Sequence, residues 1–149
     1  MQKRANSSAN KLSVSVQCAD ESEPPPPQVR ALLRAVLPQG GEVAVRFVSA
    51  AEITRLNQHY RNLAKPTNVL SFSYPTTENK IVGDIAVCID AAKKTALVHN
   101  MLLQHHLAHL IVHGALHLCG YDHDTAEDAK KMEAAEQQIL AKFGIPNPY

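Results

Sequence analysis

The segment HGALHLCGYDH, His113 to His123, places histidines at positions 0, +4 and +10 and a glycine at +7. Imidazole is the commonest protein metal ligand and binds through a neutral ring nitrogen. Two histidines four residues apart sit one turn apart on a helix and can aim at one ion. Gly120 is suited to end that helix with a positive φ and turn the chain back, bringing His123 to the same point. Three nitrogens then fill three corners of a tetrahedron and leave the fourth to water, the pattern of catalytic rather than structural zinc. The expected centre is one Zn2+ per chain on His113, His117 and His123. Cys119 falls on the opposite side of the helical wheel and is excluded as a ligand.

Metalloproteases of the form H-E-x-x-H-x-x-G-x-x-H share this spacing, and the glutamate after their first histidine is the general base for the metal-bound water. Here that position is Gly114. Loss of a positioned acid–base group commonly costs about 10²–10⁴-fold in rate, so peptide hydrolysis is disfavoured. A phosphodiester brings its own negative oxygens, and RNA adds a 2′-hydroxyl nucleophile. Its cleavage calls for charge stabilisation and positioning, which a metal and a guanidinium supply.

The elements that must carry these residues follow from periodicity. At 100° per residue, His106, His109, His113 and His117 fall within an arc of about 80°, and Leu107, Ala108, Ile111, Val112, Ala115 and Leu118 cover the rest. A helix over roughly 102–119 is thus buried except for a stripe of imidazoles. His106 and His109 are read as hydrogen-bonded or solvated imidazoles rather than ligands. Asp122 and Asp124 are either partners of an imidazole N–H or residues of the turn and cap.

Upstream, KLSVSVQC alternates Leu12, Val14, Val16 and Cys18 against polar residues as a half-buried strand does. After EPPPP, the residues Val29, Leu32, Leu33 and Val36 mark a helix that PQGG stops. EVAVRFV is a second strand, and Ser49 with Glu52 forms a capping box opening a helix to about Arg61. NVLSFSY and IVGDIAVCI supply two more strands, and Asp90 is placed to cap a helix reaching about Asn100. Thr125 with Asp128 is a second capping box, and the last helix ends at FGIPNP, where Gly144 can take a left-handed cap. The fold class is α+β: one mixed sheet of about four strands packed with helices, spanning 11–149, behind a mobile arm at 1–10.

Composition narrows the class further. The chain has 149 residues, 45% hydrophobic and 19% charged, which suits one soluble domain able to bury its own core. No apolar run approaches a membrane span and Met1–Asn10 lacks the apolar stretch of a signal peptide, so a cytoplasmic home and no membrane partner are expected. Three cysteines without a C-x-x-C pattern argue against a disulfide framework and a cysteine zinc site. A net charge of +1 gives no overall sign of a nucleic-acid partner, though a local basic face is compatible with it. Phe72, Tyr74 and Tyr121 are expected to be core residues rather than base-stacking platforms.

HGALHLCGYDH, YRNLAKPTNVLSF and VGDIAVC, in that combination and order, closely resemble the YbeY family of bacterial metal-dependent endoribonucleases, over about Leu12 to Tyr149. The resemblance implies a single α+β domain with a zinc-like metal on His113, His117 and His123. It further implies a role in 3′-end maturation of 16S ribosomal RNA and in ribosome quality control. The expected partners are ribosomal RNA and the small ribosomal subunit, with ribosomal or ribosome-assembly proteins beside them. It also makes Arg61, in YRNL, the functional arginine of the cleft. One departure is Asn68, where many members carry Asp.

Arg61 also has a plain reading as a cation at a helix C-terminus, favoured by a few tenths of a kcal/mol. A planar fork that grips phosphate bidentately is nonetheless what a metal nuclease without a carboxylate base requires. Lys65, Lys93 and Lys94 are solvated lysines or additional phosphate contacts. Two other functions compete with RNA cleavage. A peptidase would need another carboxylate, such as Glu52 or Asp84, near the metal-bound water. A non-catalytic ribosome-associated module would use the metal to fix the turn from Gly120 to Asp124, and a fourth protein ligand would favour it.

Overall fold

Hydrophobic alternation and helical periodicity are realised, among the described residues, as four strands and five helices in the computed structural model. It describes residues 11–18, 28–61, 67–76 and 80–149, without the side chain of Arg61. The expected arm at 1–10, the EPPPP break and Lys65 lie outside the described residues. The order is β1 (Leu12–Cys18), α1 (Val29–Val36), β2 (Gly41–Val48), α2 (Ala50–Arg61), β3 (Val69–Ser73), β4 (Val82–Cys88), α3 (Ile89–Val98), α4 (Leu103–Leu118) and α5 (Ala126–Ala141).

The sheet order is β1-β2-β4-β3. The β1–β2 and β2–β4 pairs are parallel, and β3 runs antiparallel to β4. This is the mixed sheet expected of the α+β class. The residues Val43, Val45, Phe47, Ile85 and Val87 bury one face against Val29 and Leu33 of α1 and Leu107, Ile111, Ala115 and Leu118 of α4. The other face, through Val48, Leu70, Ala86 and Cys88, is covered by Ile53 and Leu56 of α2. The outer side of α4 meets α1 and α5 through Leu32, Ala108, Val112, Leu116, Met132, Ile139 and Leu140. Helix α4 therefore lies between the sheet and two helices, which explains why it is apolar almost all round.

Local signals mostly hold. Ser49 Oγ accepts from the backbone N–H of Glu52 at 3.1 Å and Thr125 Oγ1 from that of Asp128 at 3.0 Å. Two expectations change. Helix α3 begins at Ile89 after Cys88 with no side-chain cap, so Asp90 lies in its first turn, where a negative charge suits the helix dipole. Val16 stays 41% exposed because β1 is an edge strand with a neighbour on one side only.

Gly114 sets how closely α4 approaches the sheet. A Cβ there would lie 2.8 Å from Ile85 Cγ2 and 2.9 Å from Ser71 Oγ. The Ser71 hydroxyl donates to the Gly114 carbonyl at 2.9 Å. One turn further on, Leu118 sits over Gly83 of β4, where a Cβ would come within 2.6 Å of its methyl. The position that carries a glutamate in the metalloproteases thus faces β3 and β4 and has no room for a side chain. Among the described residues no helix is long and apolar enough to cross a membrane.

Candidate metal centre

Helix α4 presents His113 and His117 half-buried on its one polar stripe. Gly120, at φ +98°, reverses the chain, and the turn is tied by Gly120 N–H to the His117 carbonyl at 3.0 Å and Tyr121 N–H to the Leu116 carbonyl at 3.1 Å. His123 is returned to within 5.0 Å of His117 and 5.5 Å of His113, ring centre to ring centre. One ligand atom from each of the three histidines lies within 4.8 Å of the others, so together they could hold a metal ion. No fourth histidine, cysteine or carboxylate joins this group among the described residues, and His123 is exposed.

Hydrogen bonds on the far sides of the rings set which nitrogen faces inward. His117 Nδ1 lies 2.9 Å from the Tyr121 carbonyl, which can only accept, so the proton sits on Nδ1. His113 Nδ1 lies 3.2 Å from Oε1 of Glu136 and is likewise the donor. Both Nε2 atoms then carry lone pairs, and these face each other across 3.1 Å. Two lone pairs at that distance repel, and a cation between them removes the repulsion. The donor set fits a borderline-soft divalent ion such as zinc. Burial, and then the neighbouring His113, push the His117 pKa down, favouring the neutral ring that metal binding needs.

Behind His113 stands Glu136 of α5, 0% exposed. It accepts from His113, from His109 Nε2 through a short contact, and from the Tyr149 hydroxyl at 3.0 Å to each oxygen. Burial alone would raise its pKa, but the bonds from His109 and His113 outweigh it and hold the carboxyl at about 2. Neither Glu136 nor Tyr149 was expected from the sequence. A signal existed for the first, because Glu136 shares the apolar stripe of Met132, Ile139 and Leu140.

The other candidates separate clearly. Glu52 pairs with Arg46 at 2.7 Å, and Asp84 accepts from the Tyr74 hydroxyl at 2.6 Å, so neither joins the histidines. Asp122 Oδ1 accepts from the His123 backbone N–H at 2.7 Å, as a turn residue does, and neither Asp122 nor Asp124 joins the three histidines. Tyr74 and Tyr121, expected in the core, are 49% and 40% exposed. Tyr74 follows the end of edge strand β3 and Tyr121 rides the turn, so neither has a layer above it. Lys93 and Lys94 are exposed on α3. Arg61 ends α2, and its side chain lies outside the described residues.

His106 and His109 are hydrogen-bonded imidazoles, as expected. His106 is buried, and Asn68 Nδ2 approaches its Nε2 at 3.4 Å while also donating to Thr95 Oγ1 at 3.1 Å. An amide N–H at that nitrogen favours the neutral ring, and burial lowers the His106 pKa to about 4. The unfolded chain, with an ordinary pKa near 6.5, binds this proton more tightly than the native state. Stability from this group is therefore complete above about pH 6.5 and is lost as pH falls toward 4. The metal-free protein should show a falling Tm across that window, with a shallower slope in His106→Gln. An equal slope in the variant would assign the acid lability to other groups.

Three imidazoles thus converge from a helix and its turn in an α+β domain and could hold a metal ion. The family model described as Endoribonuclease YbeY matches residues 26–144. The chain is 41% identical to Endoribonuclease YbeY of Herminiimonas arsenicoxydans, covering 94% of this chain and 96% of that one. It is 46% identical to Endoribonuclease YbeY of Paraburkholderia phytofirmans, over 78% and 77%. The solution structure of TM1509 from Thermotoga maritima aligns with a TM-score of 0.60 at 25% identity, covering 88% and 91%. The chain belongs to the endoribonuclease YbeY family.

Proposed function

We propose that this protein is a metal-dependent endoribonuclease directed at single strands, which matures the 3′ end of 16S ribosomal RNA and serves ribosome quality control in the cytoplasm. Its partners are ribosomal RNA on the small ribosomal subunit, together with ribosomal or ribosome-assembly proteins. The observation carrying this reading is the pair of inward-facing Nε2 lone pairs, 3.1 Å apart, in a group that no carboxylate joins among the described residues. His113, His117 and His123 would hold one Zn2+. Bound there, the ion supplies Lewis-acid stabilisation of negative charge on a phosphate.

The remaining work falls to the chain's own groups. Tyr121, through its carbonyl, and Glu136 keep protons off the inward nitrogens. Arg61 grips the scissile or an adjacent phosphate through two parallel donors. Single strands suit an open centre because their nucleotides can be splayed, whereas a closed A-form helix cannot present them. The test is metal-loaded, highly purified protein incubated with single-stranded RNA, duplex RNA and unstructured peptide. Cleavage of the first alone is the expected result, and metal-tracking peptide turnover without RNA cleavage would reverse it.

Arg61→Ala should keep full metal occupancy and lose most RNA cleavage. Removing a charge-assisted contact where negative charge develops costs about 2–4 kcal/mol, or roughly 30- to 1000-fold in rate. Arg61→Lys should recover little, since an ammonium keeps the charge but lacks the fork. Rate, metal content and Tm are to be measured together on all three proteins. Cleavage by Arg61→Ala at the wild-type rate would return Arg61 to a helix-end cation.

A further inference from the structure

Glu136 is a charge in a place that does not tolerate charge. It is 0% exposed among Met132, Ile139 and Leu140, and a buried carboxylate costs several kcal/mol unless its lone pairs are satisfied. Three donors converge to satisfy it. Oε1 receives His113 Nδ1–H at 3.2 Å and the Tyr149 hydroxyl at 3.0 Å, and Oε2 receives His109 Nε2–H and shares the same hydroxyl at 3.0 Å. The Tyr149 ring meets the His109 ring edge-on at 5.5 Å, so the segment after α5 is folded back onto α4. Together His109, Glu136 and Tyr149 tie α4, α5 and that last segment to one ligand histidine.

We infer that Glu136, held by His109 and Tyr149, is the positioning residue that fixes His113 with its proton on Nδ1 and its Nε2 lone pair toward the metal. This rests on the reading of the three histidines as a metal centre. An imidazole free to exchange tautomers presents its lone pair part of the time and its N–H the rest, and only the first form can bind an ion. A carboxylate behind the ring removes the second form, an effect worth about 10- to 100-fold in metal affinity. His109, Glu136 and His113 also bring ligand atoms within 4.8 Å of one another. The carboxylate's bonding argues against a second ion there, because both oxygens are already engaged by donors, and His113 directs its other nitrogen to the first group.

The amide of Glu136→Gln offers one acceptor oxygen where three donors converge, and its NH₂ must face an N–H or O–H. One of the two rings is driven to change tautomer. The experiment pairs zinc affinity, measured by competition with a chromogenic chelator, with the side-chain ¹⁵N spectrum of metal-free protein. It uses the full chain as wild type, Glu136→Gln and Tyr149→Phe. Wild type should show His113 protonated at Nδ1 alone. Glu136→Gln should show mixed protonation and bind zinc roughly 10- to 100-fold more weakly, and Tyr149→Phe should lose roughly three- to tenfold with a retained Tm. If Glu136→Gln does not fold, Tyr149→Phe decides, since that ring is 56% exposed and leaves the fold standing.

Affinities within twofold of wild type in every folded variant, with His113 unchanged, would overturn the assignment. So would a second equivalent of zinc that disappears with Glu136→Gln, which would make the carboxylate a ligand. If wild type binds no zinc, the metal reading fails, and the tautomer spectrum still decides whether Glu136 orients His113.

Discussion

His117→Ala is expected to remove bound metal and RNA cleavage together while leaving the fold in place. Two histidines remain of the three that converge, and His117 is the ring through which His113 and His123 are nearest neighbours. Losing a hydrogen-bond partner behind a ligand costs about 10- to 100-fold in affinity or activity. Losing the ligand itself removes the Lewis acid and should cost on the order of 10³-fold or more in rate. The structural cost is small. His117 is half-buried, and its one turn-directed bond, to the Tyr121 carbonyl, contributes about 1 kcal/mol. The backbone bonds closing the turn at Gly120 and Tyr121 remain. Zinc content, cleavage of single-stranded RNA and the circular dichroism spectrum should be compared on matched preparations. Full cleavage by the variant would mean that the three-histidine centre is not the seat of the reaction, and unfolding would favour a structural metal.

The second large effect concerns the residue that sets this centre apart from a metalloprotease. Gly114→Glu restores the protease sequence and is expected to cost the protein its fold rather than to give it peptidase activity. Leaving glycine in mid-helix gains about 1 kcal/mol in propensity. Against that, the new Cβ meets Ile85 Cγ2 at 2.8 Å and Ser71 Oγ at 2.9 Å, and overpacking of this kind costs about 1–3 kcal/mol. The carboxylate beyond it enters the space between α4 and the β3–β4 pair without a partner, at several kcal/mol more. The sum is comparable to the lower end of the 5–15 kcal/mol that a domain has. Gly114→Ala bears only the first two effects and should change stability by about 0–2 kcal/mol. Denaturant midpoints of the three proteins and peptide turnover by any that fold are the measurements. A folded Gly114→Glu protein with metal-tracking peptidase activity would show that the helix can lift off the sheet.

Legibility from the sequence followed the distance over which each feature is decided. His113, His117, Gly120 and His123 were readable because a helical turn and a left-handed reversal are local. The caps at Ser49 and Thr125 were readable for the same reason. The meaning of Gly114 was not, since it depends on Ser71, 43 residues away, and on Ile85 across a packed interface. Glu136 lies 23 residues beyond His113, and only its place on an apolar stripe announced it. The Val16 expectation failed because alternation predicts a face and says nothing of how far the helical layer extends over an edge strand. Asn68 illustrates the middle case. Its identity was visible, but its pairing with both Thr95 and His106 required the approach of two helices to the start of β3.

All three rings that face the candidate ion come from eleven consecutive residues, HGALHLCGYDH. Gathering them closes only a short loop, and the entropy of loop closure grows with loop length. The denatured chain can therefore assemble much of the same chelate. A ligand that also binds the unfolded state stabilises the native one by less than its affinity implies. An ion held there would thus be weakly coupled to global folding, and a nascent chain could capture it as soon as this segment is made, before α5 and Tyr149 exist to hold His113 in place.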